Sequence, residues 1–158
     1  MTDSTQISER SAEPASFTIE RIYPTSPHRV FAAWSDAQAK NSWFAQGSDY
    51  SLDFSVGGSE RLTANASEGV HYTYEARYYD IIEDERIVYA YEMHRNDTRI
   101  SVSLTSVQLE AIAEGTRLSY IEQGVFLDGQ DTPAAREHGT RELLEKLGRR
   151  LGEPEVQA

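Results

Sequence analysis

Between Tyr50 and Phe126 the chain keeps one hydrophobic period, and that period is two. It is broken only by turn signals at Gly57-Gly58, Ser67-Glu-Gly69, Glu83-Asp-Glu85, Arg95-Asn-Asp97 and Glu114-Gly115. Alternation of this kind marks antiparallel strands with one face inward and one wet. It predicts six strands in series, over 51–56, 60–66, 70–82, 86–93, 98–109 and 116–126. An earlier strand over 17–23 is predicted from Phe17-Thr-Ile-Glu-Arg-Ile-Tyr23. In the stretch from Thr98, residues Ile100, Val102 and Leu104 are in phase and Val107 and Leu109 fall out of it. That slip predicts a bulge near Thr105-Ser106 with Val102 and Leu104 on the inner side.

The helices sit outside this run. Ser26 is a good N-cap with Pro27 at the first helical position, and Val30, Phe31, Ala33 and Trp34 then share one face. Asp36 caps a second short helix running through Trp43 and Phe44, and Trp34 and Trp43 are expected to pack there as structure. At the other end Thr132 caps and Pro133 opens a helix to about Leu151, with Thr140, Leu144, Leu147 and Leu151 on one face. Strands and helices are therefore segregated. The expected fold is α+β, a curved antiparallel seven-stranded sheet around one long C-terminal helix, with two short helices after the first strand. One helix cannot cover a sheet that wide, so a cavity between them is the physical consequence.

Composition narrows what such a domain does. A net charge of −11 argues against nucleic acid, whose affinity comes mainly from Lys and Arg, and against anionic membrane surfaces. With no Cys, thiolate zinc sites, iron–sulfur clusters and Cys nucleophiles are excluded. The polar start carries no signal-peptide pattern and no apolar run is long enough to span a bilayer. A cytoplasmic monomer or homodimer is expected, with residues 1–15 and 153–158 as polar tails around a single domain over 16–152.

The order of certain short pieces resembles a known family. They are Phe17-Thr-Ile-Glu-Arg21, Val30-Phe-Ala-Ala-Trp34, Trp43-Phe44, Val56-Gly-Gly58, Asp84-Glu-Arg-Ile-Val-Tyr89, Gly115-Thr-Arg-Leu118, Glu122-Gln-Gly124 and His138-Gly139. In this order they resemble the helix-grip fold of the START/SRPBCC superfamily, which includes the birch-pollen-allergen type. The narrower likeness is to bacterial relatives of the C-terminal domain of the heat-shock ATPase activator (AHSA-type). Phe126-Leu-Asp-Gly129 followed by Arg136-Glu-His-Gly-Thr140 is similar to an uncharacterised subgroup. The resemblance implies a binding scaffold without shared catalytic residues. Many members carry Trp after the helix glycine; Thr140 stands there in this chain, which implies a more open cavity.

Candidate site residues follow from phase. Tyr72, Tyr74, Tyr89, Tyr91 and Tyr120 align with inward apolar neighbours. β propensity alone accounts for tyrosines on a half-buried sheet. The same phase fits rings lining a cavity for a semi-polar ligand. Glu122 is in phase with Leu118 and Tyr120 and is expected inside, where a carboxylate needs a partner. On the terminal helix the face of Leu144 carries Arg136, Glu137 and Thr140 upstream, a polar half that is either wet beyond the sheet edge or forms the cavity's polar wall. The expected ligand-binding set is Tyr72, Tyr74, Tyr89, Tyr91, Tyr120, Glu122, Glu137, Thr140 and Leu144.

His28, His71, His94 and His138 lack metal-ligand spacing, no nucleophile elbow or phosphate loop occurs, and no metal or cofactor is expected. The leading expectation is a non-enzymatic binder of a small hydrophobic or aromatic molecule. One alternative is a polyketide cyclase-like enzyme using Glu122 with Tyr hydroxyls as general acid and base. Another is a co-chaperone-like interaction with a heat-shock ATPase.

Overall fold

The computed structural model describes residues 10–46 and 49–152. Seven strands form one antiparallel sheet: β1 (Ala12–Tyr23), β2 (Asp49–Leu52), β3 (Ser59–Ser67), β4 (Val70–Ile82), β5 (Arg86–Arg95), β6 (Thr98–Ile112) and β7 (Gly115–Leu127). Their spatial order is β1-β7-β6-β5-β4-β3-β2. The first strand thus lies beside the last, and the chain crosses to β2 through α1 (Pro27–Ser35), α2 (Ala37–Lys40) and a π-helical turn (Asn41–Ala45). A 20-residue helix, α3 (Pro133–Gly152), closes the chain. The sheet curves around it, giving the α+β helix-grip fold.

The caps are those the sequence announces. The Arg29 amide donates to Ser26 Oγ at 3.2 Å, the Ala39 amide to Asp36 Oδ2 at 2.9 Å and the Ala135 amide to Thr132 Oγ1 at 3.1 Å. Each satisfies an amide the helix itself cannot. β1 begins at Ala12, ahead of the predicted Phe17, so part of the expected N-terminal tail is strand, paired from Ala12↔Leu127 onward. Residues 1–9 and 153–158 of the expected tails lie outside the described residues. Among the described residues no helix is long and apolar enough to cross a membrane.

α3 packs on β1, α1 and the π-helical turn. Its buried residues are Thr140, Leu144, Leu147 and Leu151. Gly148 allows that approach: a Cβ there would stand 3.1 Å from the Tyr23 ring. The Tyr23 hydroxyl then donates to the Leu144 carbonyl at 2.8 Å. Ile19, Tyr23, Val30, Leu118, Leu144, Leu147 and Leu151 belong to one continuous core.

The predicted bulge is misplaced, and the consequence reaches the site. The β5–β6 register runs Met93↔Ser101 and then His94↔Arg99, so the extra residue is Ile100, while β6 pairs β7 without interruption. Past the bulge Ser101, Ser103, Thr105, Val107 and Leu109 face inward. Val102 and Leu104, expected inside, are 45% and 47% exposed on the outer face. One inserted residue exchanges the faces of everything that follows, because the side-chain period is two.

Candidate functional site

A cavity of about 290 Å³ lies between the sheet and α3. Its sheet wall is Leu62 of β3, Tyr74 of β4, Tyr89, Tyr91 and Met93 of β5 and Tyr120 of β7. Its helical wall is Ala135, Arg136, Gly139, Thr140, Leu143 and Leu144, with Asp131 from the preceding loop. Trp34 of α1 and Trp43 and Phe44 of the π-helical turn complete it. The lining is mostly apolar, and the volume lies at the lower end of the range for small-molecule sites.

Of the nine residues expected to bind, Tyr74, Tyr89, Tyr91, Tyr120, Thr140 and Leu144 line this one space. Glu122 lies behind the wall, 1% exposed, and meets it through Tyr91, Tyr120 and Arg136. Tyr72 is half-buried on β4 and does not line the cavity. Glu137 does not line it either; it pairs with Arg141 one helical turn on, at 2.8 Å, and its side chain is 36% exposed. Trp34 and Trp43 pack edge to face at 5.0 Å, as expected of core, and they also face the cavity.

Two buried ionic clusters stand behind the rings. In the first, Glu122 Oε1 accepts from the Tyr120 hydroxyl at 2.7 Å and Oε2 from the Tyr91 hydroxyl at 2.7 Å. Arg136 Nη1 donates to the Tyr91 oxygen at 2.9 Å and lies 3.3 Å from Glu122 Oε2. Its Nη2 donates to Ser101 Oγ at 2.7 Å and to Asp131 Oδ2 at 3.0 Å. Burial opposes the guanidinium charge, but Tyr91, Glu122 and Asp131 outweigh it and hold the Arg136 pKa above its usual value. The guanidinium also lies over the rings of Phe126 (5.0 Å) and Tyr91 (5.5 Å). Of the two places left open for the polar half of this helix face, Arg136 takes the cavity wall, while Glu137 lies outside it.

The second cluster had no counterpart among the expected site residues. Lys40 Nζ lies 2.8 Å from Glu60 Oε2, with both side chains essentially out of solvent. Glu60 also accepts from the hydroxyls of Tyr78 (2.6 Å), Tyr50 (2.6 Å) and Tyr74 (3.3 Å). Three rings that line the cavity or its floor surround the ammonium: Phe44 at 4.6 Å, Trp34 at 5.0 Å and Tyr89 at 5.8 Å. Burial pulls the Lys40 pKa below the usual lysine value, with Glu60 pulling the other way. Burial, reinforced by the same carboxylates, pushes the phenols of Tyr74, Tyr78, Tyr89, Tyr91 and Tyr120 well above the ordinary tyrosine value. These hydroxyls therefore keep their protons; those of Tyr74 and Tyr78 donate to Glu60 and those of Tyr91 and Tyr120 to Glu122.

Outside the cavity two groups bring three ligand-type side chains together, His28/Glu83/Asp84 and Glu75/Glu92/His94. In the first Asp84 pairs with His28 itself, and in the second Glu75 is engaged by Arg61 and Glu92 by Arg99.

A curved antiparallel sheet gripping a terminal helix over a ring-lined cavity defines a helix-grip domain. The chain belongs to the family of Activator of Hsp90 ATPase homolog 1-like proteins, whose model matches residues 24–152, and so to the AHSA-type branch of the SRPBCC superfamily. It is similar to an uncharacterised protein of Rhizobium leguminosarum: 46% identity over 90% of this chain and 97% of that one, TM-score 0.87. It is similar also to the Mll3558 protein of Rhizobium loti, at 43% identity over 89% of this chain and 99% of that one, TM-score 0.84. CalU16 of Micromonospora echinospora shares the fold at 17% identity, over 91% of this chain and 85% of that one, TM-score 0.65. No curated relative matches.

Proposed function

We propose that this chain binds a small hydrophobic or aromatic molecule in the cavity between the sheet and α3, as a binding protein rather than an enzyme, in the cytoplasm and as a monomer or homodimer. The observation that carries the reading is the wall itself. Rings from α1, the π-helical turn, β4, β5 and β7 converge on one space, and Thr140 presents a small side chain where a ring would fill it. A cyclase-like reaction would need Glu122 to reach a proton of the substrate. Both its oxygens already accept from Tyr120, Tyr91 and Arg136, which favours binding over catalysis. The family's description names an Hsp90 ATPase activator; the cavity bears on small molecules and not on that role.

Native mass spectrometry of freshly purified protein tests the reading. A co-purifying small molecule is expected on the wild type and absent from Thr140→Trp. The variant should be as stable as the wild type or more so, since filling a void adds contacts. Equal ligand loading of the two proteins would count against the cavity.

A further inference from the structure

We propose that the face of the sheet turned away from α3 is where two copies of this chain meet, sheet against sheet, with their terminal helices outermost. The proposal is independent of the cavity and of what it binds.

Strand register builds the face. Pro14 of β1, Val125 of β7 and Val102 of β6 lie side by side as one outward row. Ser16, Gln123, Leu104 and Ala90 of β5 form the next. Neither row carries a charge, in a chain of which 26% is charged. Val102, Leu104 and Val125 are large apolar side chains left exposed. A hollow lies between the two rows, bounded by these three with Pro14 and Gln123, and a side chain of a facing molecule can enter it.

Around the patch, charge returns in matched pairs. Arg99 meets Glu92 at 2.7 Å and Arg61 meets Glu75 at 3.3 Å. Farther along the strands Arg86 meets Asp80, and Arg117 meets Glu110 at 2.7 Å. An apolar centre inside a polar rim is the anatomy of a protein–protein interface. Removing these four residues of each sign from the 15 basic and 26 acidic ones leaves 11 against 22 for the rest of the chain.

That imbalance selects the occupant. A basic partner is drawn to the acidic surfaces and finds no excess charge to pair with here. Two copies of the chain, each at −11, repel through those same surfaces and approach at least cost through this one. A two-fold axis then sets the patch against itself, as an isologous contact requires. The area suffices. The outer faces of β4, β5, β6, β7 and β1, neighbours in the sheet, present roughly 800 Å² at about 4.8 Å per strand and about 3.3 Å per residue over about ten residues, one side of a standard interface. Three aliphatic side chains at the centre make a modest contact, with a Kd on the order of 10 μM. The chain is then a monomer in dilute unfolding experiments and a dimer when concentrated.

Sedimentation velocity on the full chain tests this. From about 1 to about 300 μM the wild type should pass from monomer to dimer. Leu104→Glu sets two carboxylates close to the two-fold axis and should weaken association at least about tenfold. Val125→Arg should do the same with the opposite sign of charge. Both positions are exposed, so both variants should keep the wild-type melting temperature in dilute solution. Val56→Glu, exposed between β2 and β3, should leave association unchanged. Raising NaCl from about 50 to about 500 mM should tighten the dimer, because screening removes the repulsion between two acidic copies. A wild type still monomeric at the top of the range overturns the proposal, whether the patch is bare or covered by another protein. A dimer that salt weakens overturns it, and so does one that survives Leu104→Glu and Val125→Arg, which would point to pairing through the edges of β1 or β2.

Discussion

Lys40 is held where an ammonium is most costly to place, sealed among Trp34, Phe44 and Tyr89 with one carboxylate for company. Such a pair contributes little net stability against an apolar replacement, but breaking it strands a charge. Lys40→Met should therefore cost about 3–5 kcal/mol in denaturant unfolding, and Lys40→Met combined with Glu60→Gln should recover most of the loss. Additive losses in the double variant would show that the two side chains do not act as a pair. Half of this pair was legible. Glu60 is in phase with Leu62 on its strand, the same test that placed Glu122 inward, and the test gives the same answer at both positions. Lys40 was not legible. It ends a four-residue helix and leads into a π-helical turn, so no 3.6-residue wheel predicts which way its side chain leaves. Arg136 could be read as polar on a buried face, but its partners Ser101 and Asp131 could not, since one depends on the position of the bulge and the other on a loop.

On the scale of elements, β6 shows what one residue of register does. Periodicity correctly located the strand and the presence of a slip, but an apolar count cannot say where a bulge sits when both faces carry apolar residues. Ile100 absorbs the extra residue and turns a polar row of Ser101, Ser103 and Thr105 toward the core. The Thr105 hydroxyl is fully buried without a hydrogen-bond partner. Thr105→Val, nearly the same shape, should raise stability by about 1 kcal/mol, because it removes an unmatched polar group. Leu104→Ser should change stability by less than about 1 kcal/mol, against the loss of several that an inward leucine would bring. Both values come from denaturant titration, and a large loss in Leu104→Ser would restore the phase read from the sequence. The short-helix end behaves differently: Trp34 and Trp43 were legible as core, and Trp→Ala at either should cost about 3–5 kcal/mol by the same measurement. Their second role as cavity wall depends on how far α3 stands from the sheet, which no local pattern records.

The whole molecule carries an alkaline limit. Burial raises the phenols of Tyr23, Tyr74, Tyr78, Tyr89, Tyr91 and Tyr120 above the value of about 10 they take in an unfolded chain. Above that pH the unfolded chain releases protons the folded one keeps, so stability is full below about 10 and falls as pH rises. Each such tyrosine removes about 1.4 kcal/mol per pH unit. Unfolding should thus become steeply pH-dependent between about pH 10 and 11, with tyrosinate absorbance and loss of helix appearing together. Gradual ionisation before unfolding would show that the phenols are not sealed. The order of elements, and hence the helix-grip fold, was legible because period two and the helix caps are local. Its closure was not: nothing near Phe17 says that it will face Glu122.

That closure sets a timetable. β1 finds its partner only in β7, so Ala12 must wait for Leu127 before either has its ladder. Contacts so distant along the chain slow folding, and refolding in milliseconds to seconds is expected in stopped flow, not in microseconds. On a ribosome the first strand emerges early and stays unmatched until nearly the whole domain has followed it. An unmatched strand invites the wrong neighbour. Pro14, which offers no amide, interrupts the row of backbone donors along β1. The newborn chain thus carries, in its own first strand, a check against pairing with another copy before its proper partner exists.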